Sequence, residues 1–275
     1  MRKSNKSVPG RQVKKHIGLT ALCAICAFTA AARVRTEILS DGWMFRLEGE
    51  SEARPVTVPH DWGIEKGFLE KGACPGQGDL PYVGKGFYRR VFDGFTPPEG
   101  GRTYLTLDGV QCRSIVKLNG KVVGGRPFGY ASETIDVTKA LRESGNVLEV
   151  EAENFPESSR WYPGSGIFRD VTVRVCPRDH VKPDTLFIRT LEASKKSARV
   201  AVSFEWRGGE SNFTFTVKNP SLWSPENPHL YELELFGERF RYGIRTAEFI
   251  PQKGFFLNGV RRQMRGVCMH HDLGP

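Results

Sequence analysis

Residues 158–171, SSRWYPGSGIFRDV, gather the side chains best equipped for ligand chemistry. Trp161 and Tyr162 offer flat apolar faces that can stack on the C–H face of a pyranose, and Arg160 offers five N–H donors to hydroxyls or a carboxylate. A loop so equipped can hold a sugar. The same residues also suit packing: Gly164 and Gly166 free the backbone, Pro163 stiffens it, the aromatic rings can lie against a neighbouring domain, and Arg169 can pair with a nearby acid. A second cluster, MHHD at 269–272, sets His270 beside His271. Adjacent side chains on a strand point to opposite faces, so only one of the two can reach a site. Diverging histidines cannot share a metal ion, and with no H-E-x-x-H and no third ligand nearby, no metal site is expected. His60, in PHDW, reads as structural, with Asp61 capping or bridging its loop.

The elements that must position these residues are strands. In DVTVRV, Val171, Val173 and Val175 alternate with polar neighbours, and in RVAVSFEW so do Val200, Val202, Phe204 and Trp206. Each stretch is a strand with one buried face. NFTFTV and YELELF repeat the alternation, and Asn119-Gly120 separates two apolar runs, a strong hairpin signal because both residues tolerate positive φ. The one helical candidate before the end is a turn or two in DVTKALRES, capped by Asp136. Pro177 and Pro183, in CPRDHVKPD, interrupt the β pattern and mark a domain boundary. The first unit, residues 37–177, has room for a sandwich or jelly roll. The second, residues 180–250, shows five strand-like runs. It is short against the roughly 100 residues and seven strands of an immunoglobulin-like sandwich. Residues 251–275 open a further hairpin and one more strand.

Composition narrows the partners. Six of the basic residues, Arg2, Lys3, Lys6, Arg11, Lys14 and Lys15, fall in residues 1–32, which hold no acid; the rest of the chain carries 34 basic against 31 acidic residues. A net charge of +3 spread along a chain leaves no footprint for nucleic acid. The basic cluster is followed by IGLTALCAICAFTAAA, residues 17–32, which reads as a secretory signal peptide. That run is shorter than the roughly 20 residues of a membrane-spanning helix, so the mature protein is expected to be exported, periplasmic or extracellular, with no stable membrane span. Cys74, Cys112, Cys176 and Cys268 are widely spaced with no C-x-x-C among them, which indicates neither a metal knuckle nor a dense disulfide scaffold. No cofactor motif is present.

Seven segments occur in the order found in glycoside hydrolase family 2, and the chain resembles that family across nearly the whole of its expected mature length. They are VPHDW (58–62), GKGFYRRVF (84–92), LNGKVVG (118–124), RWYPGSGIFRDV (160–171), LWSPENPHLY (222–231), YGIRTAEF (242–249) and FFLNGVRRQMRGVCMHHD (255–272). The family includes β-galactosidases, β-glucuronidases and β-mannosidases. The resemblance implies a jelly-roll sugar-binding domain, a short immunoglobulin-like sandwich and the first strand of a (β/α)8 barrel. It implies carbohydrate as the partner, with Arg160, Trp161 and Tyr162 walling the subsite next to the cleaved bond and His270 contacting substrate at the end of the barrel strand. Some galactosidases hold a cation-ligating aspartate near the position of Arg160, so arginine here argues against that cation.

A retaining glycosidase needs two carboxylates about 5–5.5 Å apart. In the family both are glutamates on later barrel strands, the acid/base following an asparagine, and no Asn-Glu dipeptide occurs here. Asp61, Asp79, Glu153 and Asp272 lie near the motifs, but none is expected to be catalytic. The expectation is an N-terminal portion of a β-galactosidase-like enzyme that is inactive by itself. A non-catalytic carbohydrate-binding protein and an inactive truncated gene product are the alternatives.

Overall fold

The structure is a computed structural model and describes residues 33–67, 83–156 and 164–268. Its first part runs β1 (Arg35–Ile38), β2 (Trp43–Leu47), β3 (Arg54–Val56), α1 (Trp62–Lys66), β4 (Gly84–Phe92), β5 (Arg102–Leu107), β6 (Arg113–Leu118), β7 (Lys121–Gly124), β8 (Glu133–Asp136), β9 (Asn146–Asn154) and β10 (Val171–Cys176). These strands form two antiparallel sheets, one ordered β3-β2-β4-β9-β6-β7 and one ordered β1-β10-β5-β8. The strand order is not the sequence order, as a jelly roll requires.

Alternation builds the core between the sheets. On β9, Asn146, Leu148, Val150, Ala152 and Asn154 are buried while the residues between them are half-buried. Across the sandwich they meet Val171 and Val173 of β10, with Trp43, Phe45 and Tyr88 filling the centre. The β6–β7 hairpin turns on Asn119 (φ 54°) and Gly120 (φ 80°), as the dipeptide foretold. Asn119 also serves the tertiary fold, since its Nδ2 donates to Ala140 O at 2.7 Å and its Oδ1 accepts from Val147 N at 2.9 Å.

The helix lies elsewhere than expected. DVTKALRES makes a single turn, with Asp136 Oδ1 accepting from Thr138 N at 3.0 Å, and no helix follows. Only Val137, Ala140 and Leu141 of that stretch meet the core, too few for an apolar stripe. The helix that does form is α1, where Asp61 accepts from Gly63 N at 2.9 Å as N-cap.

Beyond Cys176 the chain runs through β11 (Phe187–Ala193), β12 (Ser197–Trp206), β13 (Gly209–Lys218), β14 (Tyr231–Leu235), β15 (Glu238–Tyr242), β16 (Ala247–Ile250), β17 (Gly254–Leu257) and β18 (Val260–Arg262). Strands β11-β12-β13 form one sheet and β14-β15 a hairpin, and they enclose a second core of Val181, Val200, Val202, Phe204, Leu233 and Ile244. The two cores are tied at their junction. His180 donates from Nδ1 to Pro177 O at 2.7 Å and accepts at Nε2 from the Tyr104 hydroxyl at 3.0 Å. Arg174 on β10 makes an ion pair with Glu238 on β15 in which one nitrogen, Nη2, donates to both carboxylate oxygens. Strands β16-β17-β18 form a small sheet, and residues 263–268 then run without regular structure, so among the described residues the expected barrel strand is not formed.

Candidate functional site

Arg160, Trp161 and Tyr162 belong to residues 157–163, and His270 to residues 269–275; all four lie outside the described residues. The structure does place both stems of the 157–163 loop and the buried latch that fixes them. On the upstream stem, β9 ends at Asn154, whose Nδ2 donates to Gly164 O at 2.9 Å and to Ser165 Oγ at 3.2 Å. One buried amide thus clamps the loop's entry to its exit. On the downstream stem, Gly166 forms an antiparallel bridge with Gln111: Gln111 N donates to Gly166 O at 2.8 Å, and Gly166 N donates to Gln111 O at 3.2 Å.

Only glycine fits at position 166. Its φ is +98°, and a Cβ built there would stand 2.1 Å from the Tyr88 hydroxyl and 3.1 Å from His60 O. Tyr88 is fully buried, so it cannot withdraw. The next residue is held by the same hydroxyl: Ile167 N donates to Tyr88 Oη at 3.4 Å, while Ile167 O accepts from His60 N at 2.7 Å.

Behind Tyr88 the network continues to the surface. Tyr88 Oη lies 2.6 Å from His60 Nδ1, and His60 Nε2 lies 3.1 Å from Glu65 Oε1 on α1, within ion-pair distance but not aligned for a hydrogen bond. Glu65 in turn forms a bidentate ion pair with Arg54 on β3. Burial holds the His60 pKa below the ordinary histidine value, and the Arg54 charge adds to that; the Glu65 carboxylate opposes it without prevailing. His60 is therefore neutral near pH 7. Nε2 faces the Glu65 carboxylate at 3.1 Å without hydrogen-bond geometry, and that negative charge favours the ring proton on Nε2, leaving Nδ1 to accept the Tyr88 O–H. Burial also raises the Tyr88 phenol far above its usual range, keeping it protonated and able to donate. Burial raises the Glu65 carboxyl too, but Arg54 and His60 outweigh it and hold the acid below its ordinary value.

Asp61 and Glu153, the two described carboxylates near the sequence motifs, have structural roles. Asp61 caps α1, and its Oδ2 faces Gly164, where a built Cβ would lie at 3.4 Å. Glu153 lies 3.7 Å from Arg113 on the neighbouring strand. Asp79 and Asp272 lie outside the described residues. Arg169 corrects the packing expectation: among the described residues it pairs with no acid, and its Nη1 donates to Tyr130 O at 3.4 Å. It stands beside an aromatic group the sequence reading missed, in which Tyr130 packs on Phe128 and on Phe168, each with ring centroids 5.7 Å apart. Among the described residues no group of three metal-ligating side chains occurs. The arrangement fixes the residues on either side of 157–163, and among the described residues it brings no acid–base carboxylate pair together.

A jelly roll that anchors an aromatic loop at one end and leads into a second sandwich defines a class of tandem β-sandwich protein with its candidate binding loop on the first module. Comparison with known proteins narrows this class. The model of the Glycosyl hydrolases family 2 matches residues 171–236. The chain is 32% identical to Beta-galactosidase BoGH2A of Bacteroides ovatus over 300 residues, covering 88% of this chain and 35% of that protein. Among solved structures, a β-glycosidase from Bacteroides vulgatus superposes with a TM-score of 0.73 at 29% identity, covering 86% of this chain and 37% of the other. A glycosyl hydrolase family 2 member from Bacteroides cellulosilyticus superposes with a TM-score of 0.75 at 23% identity, covering 86% of this chain and 39% of the other, a likeness of fold. The chain belongs to glycoside hydrolase family 2 and corresponds to an N-terminal portion of its members. It spans 29% and 35% of the length of two curated relatives it matches.

Proposed function

We propose that this chain supplies the sugar-facing loop of an exported, β-galactosidase-like family 2 enzyme, with Arg160, Trp161 and Tyr162 contacting the sugar and His270 helping to position it. The observation that carries this reading is the latch. A loop that must present Trp161 to a ring within a fraction of an ångström is served by a buried amide clamp, a glycine that no larger residue can replace and the Ile167–Tyr88–His60 hydrogen bonds on either side of it. Asp61 and Glu153 are held by structural partners, and the proposal places the carboxylate pair that cleaves the bond outside residues 1–275, so that this chain alone binds glycosides without hydrolysing them.

The test is Trp161→Ala in the complete enzyme and in the 275-residue chain. Galactoside binding should weaken in both while the unfolding midpoint stays nearly constant, because loss of one stacking face costs less than the roughly 3–5 kcal/mol of a buried aromatic. Unchanged binding with a large stability loss would instead make the tryptophan a packing residue. Turnover of a nitrophenyl β-galactoside by the chain alone, abolished by His270→Ala, would overturn the division of labour.

A further inference from the structure

The solvent face of the six-stranded sheet holds a pocket that the loop reading does not use. It is a cavity of about 230 Å³ lined by Met44, Arg46, Phe87, Arg89, Ile115 and Lys117, together with Glu149 and Glu151. Register builds it in two rows across four strands. Arg46, Phe87, Glu151 and Ile115 stand opposite one another in turn, and so do Met44, Arg89, Glu149 and Lys117. Phe87 and Ile115 make an apolar floor, with the Arg46 guanidinium lying 4.4 Å over the Phe87 ring.

The charges on this face do not cancel. Glu151 is answered by Lys85 at 3.0 Å. Among the described residues, Arg46, Arg89 and Lys117 have no carboxylate within ion-pair distance, although Glu149 sits between the last two in register. Three cations thus face one unneutralised acid around an apolar floor. Arg46 and Arg89 are diagonal neighbours, a separation of about 7–8 Å between backbones that long side chains close easily.

We propose that this pocket is a second carbohydrate subsite, for a sugar ring bearing a carboxylate, on the sheet face turned away from the sandwich core. The size favours one ring: ligand pockets for larger molecules run from about 300 to 1,000 Å³. The floor suits the C–H face of a pyranose, and guanidinium forks suit a planar carboxylate. The choice of a sugar over another anion rests on the family reading above; the cationic pocket does not.

The experiment titrates the full chain with trigalacturonate, its methyl ester, galactotriose and a triglutamate peptide. Trigalacturonate should bind, with affinity falling as salt rises. Esterification, or the double substitution Arg89→Ala/Lys117→Ala, should weaken it about tenfold, the loss expected for charge-assisted hydrogen bonds. Both substitutions lie on the solvent face, and an unchanged unfolding midpoint verifies the fold. Equal binding of the ester, binding undiminished in the double variant, or no binding of trigalacturonate would overturn the proposal. Triglutamate binding as tightly would also overturn it, showing a general anion patch. Trp161→Ala separates the two readings: it should spare trigalacturonate, and its effect on galactoside binding tests the loop alone.

Discussion

Replacing Gly166 by alanine tests the latch most directly. Alanine at φ +98° lies outside the conformations that L-residues adopt comfortably, a backbone cost of about 1–3 kcal/mol. The new methyl would also stand 2.1 Å from the Tyr88 hydroxyl. The ring cannot slide away, because its centroid lies 4.7 Å from that of Phe45 and 6.3 Å from that of Trp43. The hydroxyl must therefore give up its 2.6 Å contact with His60, leaving a buried ring nitrogen without its donor, at a further cost of about 1–3 kcal/mol. The total, about 2–6 kcal/mol, is a large share of the 5–15 kcal/mol that typically stabilises a domain. Tyr88→Phe separates the two parts. It should cost about 1–3 kcal/mol alone, and in that background Gly166→Ala should cost the backbone part and the milder crowding at 3.1 Å from His60 O and Trp62 Cε3, since the hydroxyl it would strike is gone. Urea denaturation followed by the fluorescence of Trp43 and Trp62, both in this core, measures the cycle. A Gly166→Ala loss below about 1 kcal/mol, or single effects that add to within about 0.5 kcal/mol, would refute the steric and hydrogen-bond reasoning together.

Other outcomes follow from the same structure. Burial lowers the pKa of both His60 and His180, so the unfolded chain gains protons near the ordinary value of 6.5 while the folded chain does not. Their contribution to stability is complete above that pH and is lost as pH falls toward the folded pKa values; urea midpoints should drop between about pH 7.5 and 5.5, and His60→Gln/His180→Gln should flatten the slope. Arg174→Ala removes an ion pair, one nitrogen shared between both carboxylate oxygens, between half-buried partners on the two sandwiches, which should lower stability by about 1–2 kcal/mol and speed proteolysis between residues 177 and 186; an unchanged cleavage rate would mean that the pair does not hold the junction. Export predicts a mature N-terminus between residues 30 and 35 by terminal sequencing of secreted protein, and intact Met1 on that protein would rule it out.

Period-two alternation made the sheets legible, because a strand in a two-sheet sandwich must send every second residue inward. Val171, Val173 and Val175 do this, and Asn119-Gly120 announced its turn through φ alone. Helices were not legible in the same way. α1 covers Trp62–Lys66, little more than one turn, so its only sequence trace is the cap residue Asp61, while Asp136 offers an equally good cap to a segment with no apolar stripe to bury. The latch was hidden for a different reason. Arg54, Glu65, His60, Tyr88, Gln111 and Gly166 span more than 100 positions and are joined only by the sandwich topology. The nearest signal was the glycine pair at 164 and 166 inside an otherwise strand-forming stretch, a spacing that marks close backbone approach without saying to what. The aromatic group of Phe128, Tyr130 and Phe168 escaped for the same reason, since its members lie on two distant loops.

The direction of the latch has a consequence for how the loop is held. His60 holds the Tyr88 hydroxyl through Nδ1, while its Nε2 faces the Glu65 carboxylate at 3.1 Å without a hydrogen bond, and Arg54 at the edge of the sheet helps keep Glu65 ionised. The ion pair itself is too exposed to add much stability directly. Its effect is instead electrostatic: it keeps a negative carboxylate in front of Nε2, which favours the ring proton there and leaves Nδ1 to accept the Tyr88 hydroxyl, whose lone pair receives the Ile167 N–H on the downstream side. A surface arginine thus governs the seat of a loop more than 100 residues downstream through one proton's location, a role that neither its exposure nor its pair energy would reveal.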